Sequence, residues 1–145
     1  MKMPRLLPFL VMLLCASAPI AALAAAELRV TVTGLRSARG DVHFAVYATA
    51  EHFPKREGRV AKAVVKAGPR GATKVFAKLA LGTYAVAVYH DENGNDEFDQ
   101  EIFGIPLEDY CFSNGATAFF GPPDFAAAAF AVALGGTAIT IRLND

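Results

Sequence analysis

Apolar and polar residues alternate in several short runs along this chain, and this alternation limits the fold more than any other property. The first run places Leu28, Val30 and Val32 between polar neighbours. The same period of two recurs at residues 42–46, 75–79, 84–88 and 139–143, and residues 60–66 are a weaker strand candidate. A period of two is typical of strands with one buried face, and glycines and prolines between the runs mark turns. The pattern predicts an all-β domain, a single β-sandwich of six or seven strands.

One short helix is expected near residues 124–130. Pro122 and Pro123 precede Asp124, and alanines follow it. Asp is a favoured N-cap residue, so Asp124 is the predicted start of this helix.

The first 26 residues have the organisation of a secretory signal peptide. Lys2 and Arg5 give a positive start, residues 6–14 form an apolar core, and residues 22–26 offer small side chains for cleavage. The apolar core is shorter than the roughly 20 residues of a membrane span. We therefore expect a signal peptide at 1–26 and a periplasmic or secreted domain at 27–145, without a membrane span. Cleavage would leave Cys111 as the single cysteine.

The charges of the chain are divided unevenly. Residues 27–78 contain 11 basic and 4 acidic side chains, whereas residues 79–145 contain 10 acidic side chains and one basic side chain, Arg142. Eight of these acids lie within residues 91–109, which contain no lysine or arginine. A nucleic-acid partner would need a dominant basic face, so none is expected. Acids crowded in this way repel one another unless water or a cation separates their charges.

Residues 91–99, Asp-Glu-Asn-Gly-Asn-Asp-Glu-Phe-Asp, carry the clearest chemical signal. Oxygen-bearing side chains occupy relative positions 1, 3, 5 and 9, the spacing with which a loop wraps one Ca²⁺ ion. The backbone carbonyl at position 7 is a further ligand. The predicted calcium ligands are therefore Asp91, Asn93, Asn95, Asp99 and the carbonyl of Glu97.

The match to a helix-loop-helix calcium site is incomplete. Such a site has glycine at position 6 and glutamate at position 12, where this chain has Asp96 and Ile102. Glu101 or Glu108 is then the candidate that completes the ligand set, and Phe98 is the expected apolar anchor. The alternative is a solvated acidic turn, since Asp, Asn and Gly are ordinary turn residues.

Two other classes of function stay open at this point. In the first, a small hydrolase-like enzyme would use His90, Asp91, Glu108 and Ser113 as acid, base or nucleophile. In the second, a carrier of apolar ligands would use Phe119, Phe120 and Phe125 around a cavity between the sheets. The simplest expectation is that the core contains the aromatic run Phe112, Phe119, Phe120, Phe125 and Phe130. If Phe119 and Phe120 lie on the surface, they would instead form a binding patch. A structural or binding module is preferred to an enzyme, and its partner, a protein or a carbohydrate, is not specified by the sequence.

The second half of the chain resembles a family of exported bacterial proteins known as domain of unknown function 2141. The matching residues are Gly82-Thr83-Tyr84-Ala85-Val86, Tyr89-His90-Asp91-Glu92-Asn93-Gly94-Asn95, Asp99, Gly104-Ile105-Pro106, Glu108, Tyr110, Phe112-Ser113-Asn114, Ala116, Gly121-Pro122-Pro123, Phe125, Ala129 and Phe130. Cys111 and Gly115 depart from the expected pattern. The resemblance implies export and a β-sandwich, without an established activity. The turn at residues 81–84 is also similar to one in prealbumin-like sandwiches, which implies an immunoglobulin-like or prealbumin-like arrangement.

Overall fold

The structure is a computed structural model, and it describes residues 24–143. Eight strands form the described part, together with one short helix and two 3₁₀ turns, at Arg56–Gly58 and Ser113–Gly115. The strands are β1 (Ala25–Thr33), β2 (Asp41–Tyr47), β3 (Arg59–Lys66), β4 (Ala72–Ala80), β5 (Gly82–Asp91), β6 (Tyr110–Phe112), β7 (Phe130–Val132) and β8 (Thr137–Arg142). The helix α1 is Phe125–Ala128.

The strands form two sheets. One sheet has three strands in the order β4-β1-β8, and β1 pairs with β8 in parallel. The other sheet has the order β3-β2-β5-β6, and β7 pairs with the first residues of β5. All pairs in this second sheet are antiparallel. The predicted all-β sandwich is confirmed.

The core lies between the two sheets, where the alternation in sequence predicted it. Leu28, Val30 and Val32 of β1 are fully buried, and they pack against the buried faces of β2 and β5. Successive side chains of a strand point to opposite faces of the sheet, so every second residue of these strands faces away from the core. The outward face of β2 therefore carries His43, Ala45 and Tyr47.

A second, smaller apolar cluster covers part of that outward face. Ala85, Phe112 and Ala128 are buried there, and Phe53 and Phe125 pack over them. Phe53 makes edge-on contacts with both Phe112 and Phe125. The five-stranded sheet is thus covered at one end of its outer face and open beside the 91–99 loop.

Four details differ from the expectations. The strands β6 and β7 have only three residues each, too few for a visible alternation. The helix α1 ends at Ala128, and the side chain of Asp124 makes no capping hydrogen bond. Phe119 and Phe120 are almost fully exposed, so the expectation that they belong to the core is wrong.

The predicted signal peptide lies almost wholly outside the described residues. The strand β1 begins at Ala25, and Ala26 is buried opposite Leu79 of β4. Within residues 24–143, the helices are too short and insufficiently apolar to span a bilayer.

Candidate metal-binding loop

Asp91 is the last residue of β5, and its carboxylate folds the loop that follows. One oxygen, Oδ1, accepts the backbone N–H of Gly94 at 2.6 Å and that of Asn95 at 3.2 Å. The other, Oδ2, accepts the N–H of Asp96 at 2.8 Å. Gly94 and Asp96 both have left-handed backbone conformations, with φ of 72° and 62°. The chain therefore curls tightly around the Asp91 carboxylate.

Asp91 is fully buried, yet it is held in its charged form. Burial alone raises its pKa, but the three backbone N–H donors and the neighbouring His43 outweigh that effect and lower the pKa below the ordinary value. Hydrogen bonds from the loop backbone thus stabilise a carboxylate that burial would otherwise neutralise.

The polar side chains of Asn93, Asn95 and Asp99 converge on one another. The amide nitrogen Nδ2 of Asn93 donates to Asp99 Oδ2 at 2.6 Å, and that of Asn95 donates to Asp99 Oδ1 at 3.0 Å. The amide oxygens accept backbone N–H groups, from Asn95 and Glu97 respectively. Each amide oxygen keeps a second lone pair, so the cluster is rich in oxygen acceptors.

Glu108 joins this cluster from the segment that precedes β6. Its Oε2 accepts the backbone N–H of Asp99 at 3.2 Å. Its Oε1 is buried and has no hydrogen-bond partner. Burial raises the pKa of Glu108, and the negative charges of Asp91 and Asp99 raise it further, whereas the backbone N–H groups of Asp99 and Glu92 oppose this shift without cancelling it. Glu108 lines a cavity of about 330 Å³ together with Asn93 and Asp99. This carboxylate oxygen is therefore an unsatisfied hydrogen-bond acceptor at the cavity.

Two arginines from the β1–β2 loop neutralise part of the acidic segment. Arg36 forms an ion pair with Asp109, and Arg39 pairs with Glu92 at 2.8 Å. The hydroxyl of Ser37 and the guanidinium of Arg39 lower the pKa of Glu92 to about 2. The remaining acids of the segment, Asp91, Asp96, Glu97, Asp99, Glu101 and Glu108, form no ion pair with Lys or Arg of residues 24–143.

His43 of the neighbouring strand β2 also lies close to the Asp91 carboxylate. Its Nε2 is 3.4 Å from Asp91 Oδ2 and 3.6 Å from Asp96 Oδ1, and its ring stacks on Tyr89 at a centroid distance of 4.4 Å. This nitrogen is buried and makes no hydrogen bond. The three residues therefore present one nitrogen and two carboxylate oxygens to a common point.

The family model described as an uncharacterized protein conserved in bacteria (DUF2141) matches residues 30–140. The chain belongs to this family. The matched region runs from β1 into β8 and contains the 91–99 loop, Glu108 and His43. No curated protein and no solved structure matched the chain.

In this DUF2141 protein, the side chains of three predicted ligand residues, Asn93, Asn95 and Asp99, are brought together, whereas the Asp91 carboxylate accepts backbone N–H groups of the same loop. Glu97 contributes its backbone N–H to Asn95, and its side chain is exposed. Phe98 does anchor the loop, but against Tyr89 and Tyr110 on the outer face of the sheet and not in the core. The ligand assignment itself stays a prediction.

The structure brings two residues of the enzyme hypothesis, His90 and Glu108, to the same cavity of about 330 Å³, but Ser113 does not line it. His90 is buried, and its Nε2 lies 2.7 Å from the carbonyl oxygen of Arg39. Neighbouring residues of a strand face opposite sides, so His90 and Asp91 do not share a site. The Ser113 hydroxyl donates to Ala128 and accepts the N–H of Val86, so it has a structural role. Within the described residues, the hydroxyl of Ser113 is therefore held in the fold and does not line the cavity of His90 and Glu108.

Spacing arguments missed His43. It lies 48 positions before Asp91, and only the antiparallel pairing of β2 with β5 brings the two together. The sequence alone does not distinguish a ligand histidine from an ordinary surface histidine on the outward face of a strand.

Proposed function

We propose that this protein is an exported β-sandwich module whose 91–99 loop holds one structural Ca²⁺ ion. The observation that carries the proposal is the buried, unpartnered Oε1 of Glu108 beside the converging side chains of Asn93, Asn95 and Asp99. Asp91 and the carbonyl of Glu97 complete the proposed set. A cation is the partner that would satisfy these oxygens and separate the negative charges.

Calcium fits the donor chemistry better than other common cations. All atoms of the proposed set are oxygens, and Ca²⁺ accepts six to eight oxygens in flexible geometry. Magnesium requires a stricter octahedron and retains water molecules. In the described structure the two asparagine amides point their nitrogens at Asp99. Ion binding would require these amides to turn their oxygens toward the ion.

The ion would act as a structural tie. Asp91 ends β5, whereas Glu108 lies two residues before β6 of the same sheet. A shared cation would join the loop to this second segment and reduce the repulsion among the acids. Extracellular calcium modules bind at about 10⁻⁴–10⁻³ M, which suits a structural role outside the cell.

Thermal unfolding of the mature domain tests this proposal. After EGTA treatment, calcium at about a hundred times its Kd should raise the midpoint by about 10 °C, because only the folded state binds the ion. Magnesium at the same concentration should have a much smaller effect. Asp99→Asn should remove most of the calcium response, whereas Asp124→Asn, a change of an acid outside the loop, should leave it intact. A wild-type midpoint that calcium does not move would overturn the proposal.

A second candidate rests on the unpartnered Nε2 of His43. One imidazole nitrogen with the carboxylates of Asp91 and Asp96 is a donor set for Zn²⁺ or a similar transition metal. Isothermal titration of EGTA-treated protein with Zn²⁺ distinguishes the two sites. If zinc binds here, His43→Gln abolishes zinc binding and leaves the calcium response unchanged. Zinc binding of equal strength in wild type and His43→Gln would exclude this site.

A further inference from the structure

The outer face of the five-stranded sheet carries a groove of about 540 Å³. Its floor is formed by Ala45 of β2 and Ala87 of β5, which are directly paired. Along the strands, the pair His43 and Tyr89 lies at one end of this floor, and Tyr47 lies at the other end. Because an alanine side chain ends at Cβ, the two alanines leave a depression between rows of larger side chains. Four residues along a strand separate these rows by about 14 Å, enough for a flat ring system.

Aromatic side chains form one wall of the groove. Phe98 lies between Tyr89 and Tyr110, with ring centroids 5.3 Å and 5.5 Å away. Aromatic side chains of this kind suit contact with an apolar ring.

The opposite side of the groove is basic. Lys62 lies on the edge strand β3 and is paired with Ala45 of β2. Arg59, the first residue of β3, and Arg56, in the 3₁₀ turn before it, also line this side. Within the part of the chain that the structure describes, none of these three cations forms an ion pair with a carboxylate. Arg59 Nε donates a hydrogen bond to the hydroxyl of Tyr47, at 3.4 Å. Asp96 is the single carboxylate that lines the described groove.

We propose that this groove binds a small organic anion with a flat apolar body. The body lies on Ala45 and Ala87 against the aromatic wall, and the anionic group, a carboxylate, sulfonate or phosphate, is held by Lys62 and the arginines. The groove has the volume typical of small-molecule sites, about 300–1,000 Å³. Three cations without carboxylate partners among residues 24–143 give the charge complementarity, and desolvation by the apolar body strengthens each ionic contact.

Fluorescence titration with anilinonaphthalene sulfonate, a flat aromatic anion, tests the proposal. The probe should bind the native domain at one saturable site, both in EGTA and in calcium. Lys62→Gln should weaken binding about fivefold, the worth of one partly exposed charge contact. Lys78→Gln, which removes an exposed lysine on the other sheet, should change binding less than twofold. Ala87→Leu should fill the groove and abolish binding.

Two comparisons complete the experiment. Phenylnaphthylamine has the same rings without the sulfonate, and it should bind more weakly than the anion and respond equally to Lys62→Gln and Lys78→Gln. Thermal midpoints of all variants show whether the fold is intact, because this probe also binds partly unfolded states. If Ala87→Leu does not fold, the Lys62 and Lys78 pair still decides the result. Binding that is equal in both lysine variants, or absent in wild type, overturns the proposal.

Discussion

Asp91 and Glu108 are two carboxyl groups of one small cluster, but the protein treats them in opposite ways. Asp91 is surrounded by three N–H donors that lower its pKa against the effect of burial. Glu108 keeps one buried oxygen without a donor, and burial raises its pKa. Both oxygens of the first carboxylate accept backbone N–H groups, whereas the second keeps one oxygen, Oε1, without a hydrogen bond.

Glu108→Gln is expected to change the stability in opposite directions with and without calcium. A raised folded-state pKa means that the stabilising proton is lost as the pH rises through that pKa, so ionised Glu108 is unfavourable at pH 7. In EGTA the neutral glutamine should therefore raise the melting midpoint by a few degrees. In calcium it should lower the midpoint relative to wild type, because a ligand is missing.

Glu101→Gln is the matched control for this prediction. Glu101 is exposed, and its backbone N–H bonds to Ile105. Calorimetric scans of both variants in EGTA and in calcium separate the two glutamates. The opposite pattern, a lost calcium response in Glu101→Gln alone, would identify Glu101 as the ligand.

Asp91→Ala is expected to lower the free energy of unfolding by about 3 kcal/mol at pH 7, because three loop N–H groups lose a buried acceptor. The effect should depend on pH. A lowered folded-state pKa stabilises the fold above the unfolded value of about 3.9, and this contribution is lost as the pH falls through the folded-state pKa. Urea unfolding of wild type and Asp91→Ala should therefore show a smaller difference at low pH than at pH 7. A difference that does not change with pH would contradict the assignment of this charge.

At the level of structural elements, the β1–β2 loop passes closely over the end of β5. Gly40 has a φ of 68°, and a Cβ at this position would overlap the carbonyl oxygen of Asp91. Neighbouring residues of the same loop supply Arg36 and Arg39 to the acidic segment. The β1–β2 loop therefore packs against Asp91 at the start of the candidate site and pairs with two of its neighbouring acids.

Gly40→Ala is expected to destabilise the domain by about 3 kcal/mol, through both backbone strain and the overlap with Asp91. Gly104→Ala is the matched control, since Gly104 has a similar φ of 76° and a Cβ there would meet open space, with no contact within 4 Å. It should cost only the strain, about 1 kcal/mol. Equal losses in urea unfolding would show that the close approach at Gly40 carries no energetic weight.

The same elements show how far sequence reasoning reaches. The alternation in β1, β2 and β5 predicts the sandwich, because a buried face is a local property of a strand. The 1, 3, 5, 9 spacing predicts that Asn93, Asn95 and Asp99 converge, because a short loop cannot separate them. Glu108 and His43 reach Asp91 through strand pairing, and the register of distant strands is not visible in local spacing. The exposure of Phe119 and Phe120 is not visible in the sequence either, because tertiary packing decides whether a loop side chain is covered.

At the level of the whole molecule, folding brings part of the basic half of the chain, residues 27–78, against the acidic half, residues 79–145. Arg36 and Arg39 belong to the basic half, and they bind acids of the acidic half. In the described residues, the groove cations Arg56, Arg59 and Lys62 do not take part in this pairing. The sandwich thus presents an acidic loop and a basic groove edge on one face of the five-stranded sheet.

The start of the mature chain is the last property that the structure helps to predict. Ala25 and Ala26 are the first residues of β1, and they pair with Ala80 and Leu79 of β4. Cleavage after Ala24 would keep this pairing, whereas cleavage after Ala26 would remove one buried side chain and two paired residues from the sheet. If the chain is exported and cleaved as predicted, we therefore expect it to begin at Ala25, two residues before the boundary at Glu27 predicted in the sequence analysis. Intact mass measurement of the protein recovered from a periplasmic extract checks this expectation, and a chain that begins at Glu27 would contradict it.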